Sequence, residues 1–347
     1  MGITSLIRKY FSNLFVSIIP ESESYRVYCK VLKKGKLKEK FEKIFEVKAS
    51  DDDKLDSEIE EYLNSIQEKY NFSYIALYLN SMGQGAINGT DKESFEKNSV
   101  DVKHVHTVKF KTWSAYASYI DINWIKKIYS NVGLDFIYSP FVIIYHIMKK
   151  SKLKAKPTLF MLNLKDSFTL AVFQEDELLF GAFFKLNNEE LIDTSGVEDW
   201  ENEEEQKGVE ELAALDSQDE EEDLSDLEDL NDLEDLSEDS VDEIPDDDEE
   251  KEDDEEINED ANSSDIELYG RDMEVYKYLK AALKEYYHNP IYKSDFLDEI
   301  VIYDSYEMSV EMIDIIENEL YMDLRMHKID VAEIMCDMAI GEVFHGL

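Results

Sequence analysis

Glycine is scarce in this chain, with 12 among 347 residues, alongside five prolines and two cysteines. The shortage bears first on phosphate chemistry. Loops that wrap a phosphate in backbone N–H groups need glycine to bring the chain close, and the bare G-x-G of Gly83–Gly85 is too little to make one. Cys29 and Cys336 stand near opposite ends, which excludes a disulfide framework and a cysteine-based zinc site and fits a reducing compartment. No apolar run approaches the roughly 20 residues a membrane span needs. The best stretch, Phe136–Met148 (FIYSPFVIIYHIM), is short and holds a proline and a histidine. The opening MGITSLIRKYFSNLFVSIIP lacks the apolar core and small-residue cleavage site of a signal peptide. Leu6 stands where a myristoylated Gly2 requires Ser or Thr. The expectation is a cytoplasmic protein.

Basic residues are almost missing from one long segment. Of the 81 acidic residues, about 41 lie between Glu189 and Glu267, against two lysines there, within a chain of net charge −45. The remainder is only about −6, ordinary for a folded protein. Residues 188–267 therefore read as a long acidic, disordered insert. Within it, DLSDLEDLNDLEDLSED spaces Leu224, Leu227, Leu230, Leu233 and Leu236 by three, which walks around a helix and does not build a coiled coil. The insert is either a solvated linker or a docking strip for a basic or amphipathic partner. It has no glycine-turned calcium loop.

Two folded parts remain, 1–187 and 268–347. The first predicts strands at 14–19, 24–33 and 36–48, then a helix over 54–70 on Leu55, Ile59, Tyr62, Leu63 and Ile66. A strand at 73–79 runs into the loop NSMGQGAING, and VKHVHTVKF (102–110) alternates like another strand. Helices follow at 120–131 and 139–150, then three strands joined by tight turns in 157–186. The second part predicts a helix at 272–288, a strand at 297–304, a helix at 309–320, a strand in YMDLRMHKI and a closing helix with Ile334, Met338 and Val343 inward. The fold class is α/β.

The element order, together with YASYIDINWIKKIYSNVGLDFIYSPFVIIYHIMKK and TLFMLNLKDSFTLAVFQEDELLFGAFFKL, resembles the actin-like ATPase superfamily. Within it the chain is most similar to the PilM proteins of type IV pilus assembly and the cytoplasmic domain of GspL. The resemblance implies an actin-like (ribonuclease H-like) two-domain fold. Residues 1–187 would hold the first domain and the start of the second, and 268–347 the rest of the second. It also places three phosphate-facing turns, each degenerate here. The first, Ile18–Ser24, contains Ser22 and the carboxylates Glu21 and Glu23 but no glycine. The second has Asn163 where the family has aspartate, followed by Leu164, Lys165, Asp166 and Ser167. The third, Tyr303–Glu307, has Ser305 and its neighbours in place of a glycine cluster. The expectation is a pseudo-ATPase with no catalytic residues and no cofactor, ATP with magnesium being the alternative. The resemblance further implies a non-enzymatic scaffold, peripheral to the inner membrane and oligomeric within a larger assembly. It would bind the cytoplasmic tail of a PilN-like bitopic protein in a type IV pilus, a type II secretion platform or a polar flagellar motor. The other alternative is an acidic chaperone or nucleic-acid mimic acting through the insert.

The remaining constellations are weak. His104 and His106 form an HxH without an evident third ligand, so no metal site is expected. Lys149, Lys150, Lys152, Lys154 and Lys156 read as a solvated helix end or a contact for anionic lipid or the acidic strip. The 21 tyrosines read as packing, and no nucleic-acid partner is expected.

Overall fold

The computed structural model describes residues 10–46, 54–151, 155–186 and 259–345, with side chains within 268–344 for the last segment. The central strand is β1 (Ser12–Pro20), buried along almost its whole length. Its residues alternate between two cores. Leu14, Val16 and Ile18 face one, and Phe15 and Ile19 the other, as period-2 geometry requires. β1 pairs antiparallel with β2 (Ser24–Lys33), which pairs with β3 (Lys36–Glu46). On its other side β1 runs parallel to β4 (Phe72–Tyr78), and β4 to β8 (Phe136–Tyr138).

The second sheet repeats this plan. β9 (Thr158–Asn163), β10 (Ser167–Gln174) and β11 (Glu177–Lys185) form an antiparallel meander. β12 (Glu299–Asp304) and β13 (Asp323–Lys328) lie parallel to β9. The orders are β3-β2-β1-β4-β8 and β11-β10-β9-β12-β13. Two sheets of one order, each a three-strand meander extended by two strands parallel to its first, are the duplicated ribonuclease H-like plan. The fold is actin-like.

Helices complete the layers. α1 (Ser57–Gln67) buries Ile59, Leu63 and Ile66 on the Leu14 face of the first sheet. Its N-cap, Asp56, accepts from Glu58 N–H at 2.7 Å. α4 (Pro140–Lys150), with proline at its first turn, and α7 (Val331–His345) pack in a core shared by both sheets. On the far face of the second sheet, α5 (Glu259–His288) places Val275, Leu279 and Tyr286, and α6 (Val310–Leu320) places Met312 and Ile316.

Several expectations change. The supposed loop NSMGQGAING contains β5 (Gln84–Asn88), and the segment before the 120–131 helix is β7 (Trp113–Ser118). With β6 (Val105–Lys109) these form a third sheet, β5-β7-β6. Gly85 lies in β5 opposite Tyr116 on β7, whose ring occupies the space a Cβ would need. His104 falls before β6 and pairs with Asp101 at 3.2 Å. A short helix, α2 (Lys92–Lys97), was not foreseen. The helix expected at 272 begins at Glu259, inside the segment read as disordered. The rest of that segment, and the disorder and docking strip expected of it, lie outside the described residues. Finally, α7 does not complete the second sheet. Ala332 and Cys336 reach Ser17 on β1, and Lys30 on β2 pairs with Glu333 and Asp337. Its most buried face carries Val331, Ala332, Met335, Cys336 and Ala339, with Met338 also buried and Ile334 and Val343 at the margin.

Candidate functional site

Both sheets send their meander turns to one cleft. The β1–β2 turn presents Ser22, the β9–β10 turn presents Lys165 and Asp166, and the chain after β12 presents Ser305. These positions, with Asn163, were singled out from sequence, and the fold brings all five together. Asp166 is buried, and its Oδ2 accepts from both the backbone N–H and, at 2.9 Å, the hydroxyl of Ser22. A carboxylate of the second hairpin thus sits on the N–H group that the first hairpin would offer to a phosphate. Asn163 donates to Asp304 Oδ1 at 2.8 Å, and its carbonyl accepts from Ser305 N–H at 2.9 Å. Lys165 turns outward to Glu23 at 3.4 Å.

Arg271, on α5, braces the second hairpin from behind its carbonyls. Its guanidinium donates to Asn163 Oδ1 at 2.6 Å, to Lys165 O at 3.0 Å, to Leu164 O, and to Asp272 Oδ1 at 3.0 Å. Its face lies 4.8 Å from the centre of the Tyr306 ring. Burial lowers the Arg271 pKa, and the Asp272 carboxylate opposes that fall. Asp304 gathers the third turn, accepting from Tyr306, Glu307 and Met308 N–H at 3.2–3.3 Å. Glu307 there has φ 84°, a conformation glycine adopts most readily. Donors from all three turns are therefore bonded to the chain itself. What stays open is a polar cavity of about 320 Å³, with Glu21 and Lys165 on its wall. Among the described residues, no three His, Cys, Asp or Glu side chains are grouped to hold a metal ion.

A second hollow, of about 720 Å³, lies beside β8. Its wall is mainly apolar, with Val108 and Phe110 at β6, Ile122 from α3 (Tyr119–Ile128), Phe136 and Ile137 from β8, and Val142 from α4. β8 ends the first sheet's order, so among the described residues no strand pairs with its outer edge. Lys126, Lys149, His146 and Glu342 stand around the rim. Lys149 is held by Asp176 at 3.0 Å, and Glu342 accepts from the Tyr138 hydroxyl at 3.2 Å.

Sequence reasoning located the hairpins through the family resemblance but missed Arg271, 108 positions from its partner Asn163. An arginine just ahead of the apolar face expected at 272–288 carried no local signal. The groove was missed with β5 and β7.

A family model described as "Domain of unknown function (DUF8341)" matches residues 159–344. The chain belongs to this family. A second model, "Domain of unknown function (DUF8569)", matches residues 11–145 of the same DUF8341 member. The two matches divide at the passage from the first sheet to the second. No curated protein matches the chain. Among solved structures, it is similar to one titled "PilM-PilN type IV pilus biogenesis complex", at 10% identity and TM-score 0.49 over 95% of this chain and 96% of that one. It is also similar to the ethanolamine utilization protein EutJ from Carboxydothermus hydrogenoformans, at 6% identity and TM-score 0.39 over 95% and 89%. A Bacteroides thetaiotaomicron protein with an actin-like ATPase fold and unknown function matches at 15% identity and TM-score 0.34 over 60% and 81%. No described helix is long and apolar enough to cross a membrane.

Proposed function

We propose that this chain is a PilM-type scaffold without ATPase activity, which holds the cytoplasmic tail of a PilN-like bitopic inner-membrane protein in the groove beside β8. The observation that carries the reading is the contrast between the two hollows. Asp166 and Arg271 occupy the cleft, while the groove offers apolar side chains and a free strand edge. An extended segment can bond along such an edge and place alternate side chains against the wall. The protein would then lie in the cytoplasm against the inner membrane, as part of a pilus, secretion or flagellar-motor assembly.

Titration calorimetry tests both halves. Mg-ATP should give no binding in the micromolar range. Synthetic tails of single-span proteins encoded by neighbouring genes should bind, and Val142→Asp should weaken that binding about tenfold or more by placing a charge on the apolar wall. Micromolar Mg-ATP binding that disappears in Asp166→Asn would instead establish an actin-like ATPase. Loss of partner binding on deleting 190–266, with Val142→Asp silent, would move the function to the acidic segment.

A further inference from the structure

The end of the first sheet farthest from the cleft carries a charge pattern foreign to so acidic a chain. Register places Ser12 opposite Lys33 and Asn13 beside Phe72. The start of β1, the β2–β3 turn and the start of β4 therefore share this end. Lys33, Lys34, Lys36 and Lys38 are all exposed, and none has an ion-pair partner among the described residues. Glu39 is the adjoining carboxylate. Between and beside the lysines stand apolar side chains open to solvent: Leu37 at 56%, Tyr10 at 69% and Phe11 at 43% exposure.

Edge protection explains part of this. Lysines on an outer strand discourage pairing with another sheet, and Lys36, Lys38 and Lys40 on β3 serve that purpose. It does not explain Lys33, which ends an interior strand, or Lys34 in the turn. Lys34 and Gly35 both have positive φ, 55° and 71°, as in a type I′ turn. The first of those positions suits Asn, Asp or Gly, so lysine is kept there against the backbone's preference. Nor does edge protection explain three exposed apolar residues in the same place.

We infer that this end of the sheet docks on an anionic lipid surface. Lysine stems lie along the boundary with their ammonium groups at lipid phosphates, while Leu37, Tyr10 and Phe11 enter the headgroup layer. Tyrosine, apolar at one end and polar at the other, suits that boundary. A nucleic acid or an acidic peptide would use the same charges and leave Leu37 without a role. The acidity of the rest of the chain does not cancel the attraction, because at physiological salt charges are screened beyond about 8 Å.

The experiment is flotation of the full chain with vesicles of phosphatidylcholine, with and without phosphatidylglycerol, at physiological salt. It contains no partner protein, so its failure and that of the tail-binding reading are separate. The chain should float only with phosphatidylglycerol. Lys34→Asn should raise the melting temperature by relieving the turn, yet lower lipid affinity about fivefold. Leu37→Ser, which leaves charge untouched, should also weaken flotation while leaving the weaker binding to poly-glutamate and single-stranded DNA unchanged. Flotation without phosphatidylglycerol, or flotation indifferent to Lys34→Asn and Leu37→Ser, overturns the inference. So does tighter binding to poly-glutamate or DNA than to the anionic vesicles.

Discussion

The cleft and the groove are hollows of one folded unit, finished in opposite ways. In the cleft, turn N–H groups meet Asp166 and Asp304, and the buried guanidinium of Arg271 meets Asn163, Asp272 and two carbonyls. The wall of the groove is mostly carbon, and the half-buried His146 at its side has an Nε2 with no partner among the described residues. Buried polar atoms are nearly always bonded. The polar groups of the cleft are mostly bonded within the chain, Asp166 Oδ1 being left without a partner among the described residues, whereas the apolar wall beside the β8 edge offers surface that a segment from outside would cover. On the proposed reading, a cleft that holds no nucleotide needs acceptors for the N–H donors a phosphate would otherwise meet, and Asp166 and Asp304 supply them.

The largest effect should come from breaking the cleft at its centre. Arg271→Ala leaves Asp272, Asn163 Oδ1 and two hairpin carbonyls buried without their donor. Removing one partner of a buried charged pair costs about 3–5 kcal/mol, which for a unit of this size is a fall of roughly 10 °C in melting temperature. Arg271→Lys should recover little, since an ammonium cannot reproduce the planar fork. Thermal unfolding followed by circular dichroism measures both. A loss below about 1 kcal/mol, no more than an ordinary exposed ion pair, would mean the cleft is not organised around Arg271.

Much of this architecture was legible because it rests on local pattern. The alternation in 14–31 and 157–186, the turns between those strands, and the helices at 139–150 and 309–320 all follow from periodicity and caps. The resemblance to actin-like proteins then pointed to Ser22, Asn163, Lys165, Asp166 and Ser305 as members of one cleft. β5 and β7 escaped because Gly83 and Gly85 read as a turn and WSAYAS is poor in branched residues. The filling of the cleft was illegible for a different reason. Whether Asp166 is a turn residue or a cross-link depends on which N–H it meets, and Ser22 lies 144 positions away. Local sequence cannot encode that.

A smaller effect would sharpen the account of how the two hairpins are joined. Asp166→Ala leaves the Ser22 N–H without its acceptor, at about 1–3 kcal/mol, and Ser22→Ala removes only the hydroxyl bond, about 1 kcal/mol. If the carboxylate bridges the hairpins, the double variant should lose less than the sum of the single losses, by about 0.5 kcal/mol or more in urea unfolding. Additive losses would mean that the contact does not couple the hairpins.

The smallest effect belongs to the groove and is read through pH. Burial lowers the His146 pKa from its usual 6.5, with Lys150 adding to the fall and Asp337 opposing it. Above about 6.5 the ring is neutral in both folded and unfolded chains and contributes nothing. As pH drops below that value the unfolded chain takes up the proton first, so stability declines until the depressed folded pKa is passed, and then levels. His146→Gln should flatten this part of the stability curve slightly, because the ring is only half-buried. A tail seated over the groove would bury the ring further and deepen the depression. Tail binding should therefore weaken between neutral and mildly acidic pH in the native chain and hold steady in His146→Gln. Equal acid sensitivity in both would place the bound tail away from His146, and away from this wall of the groove.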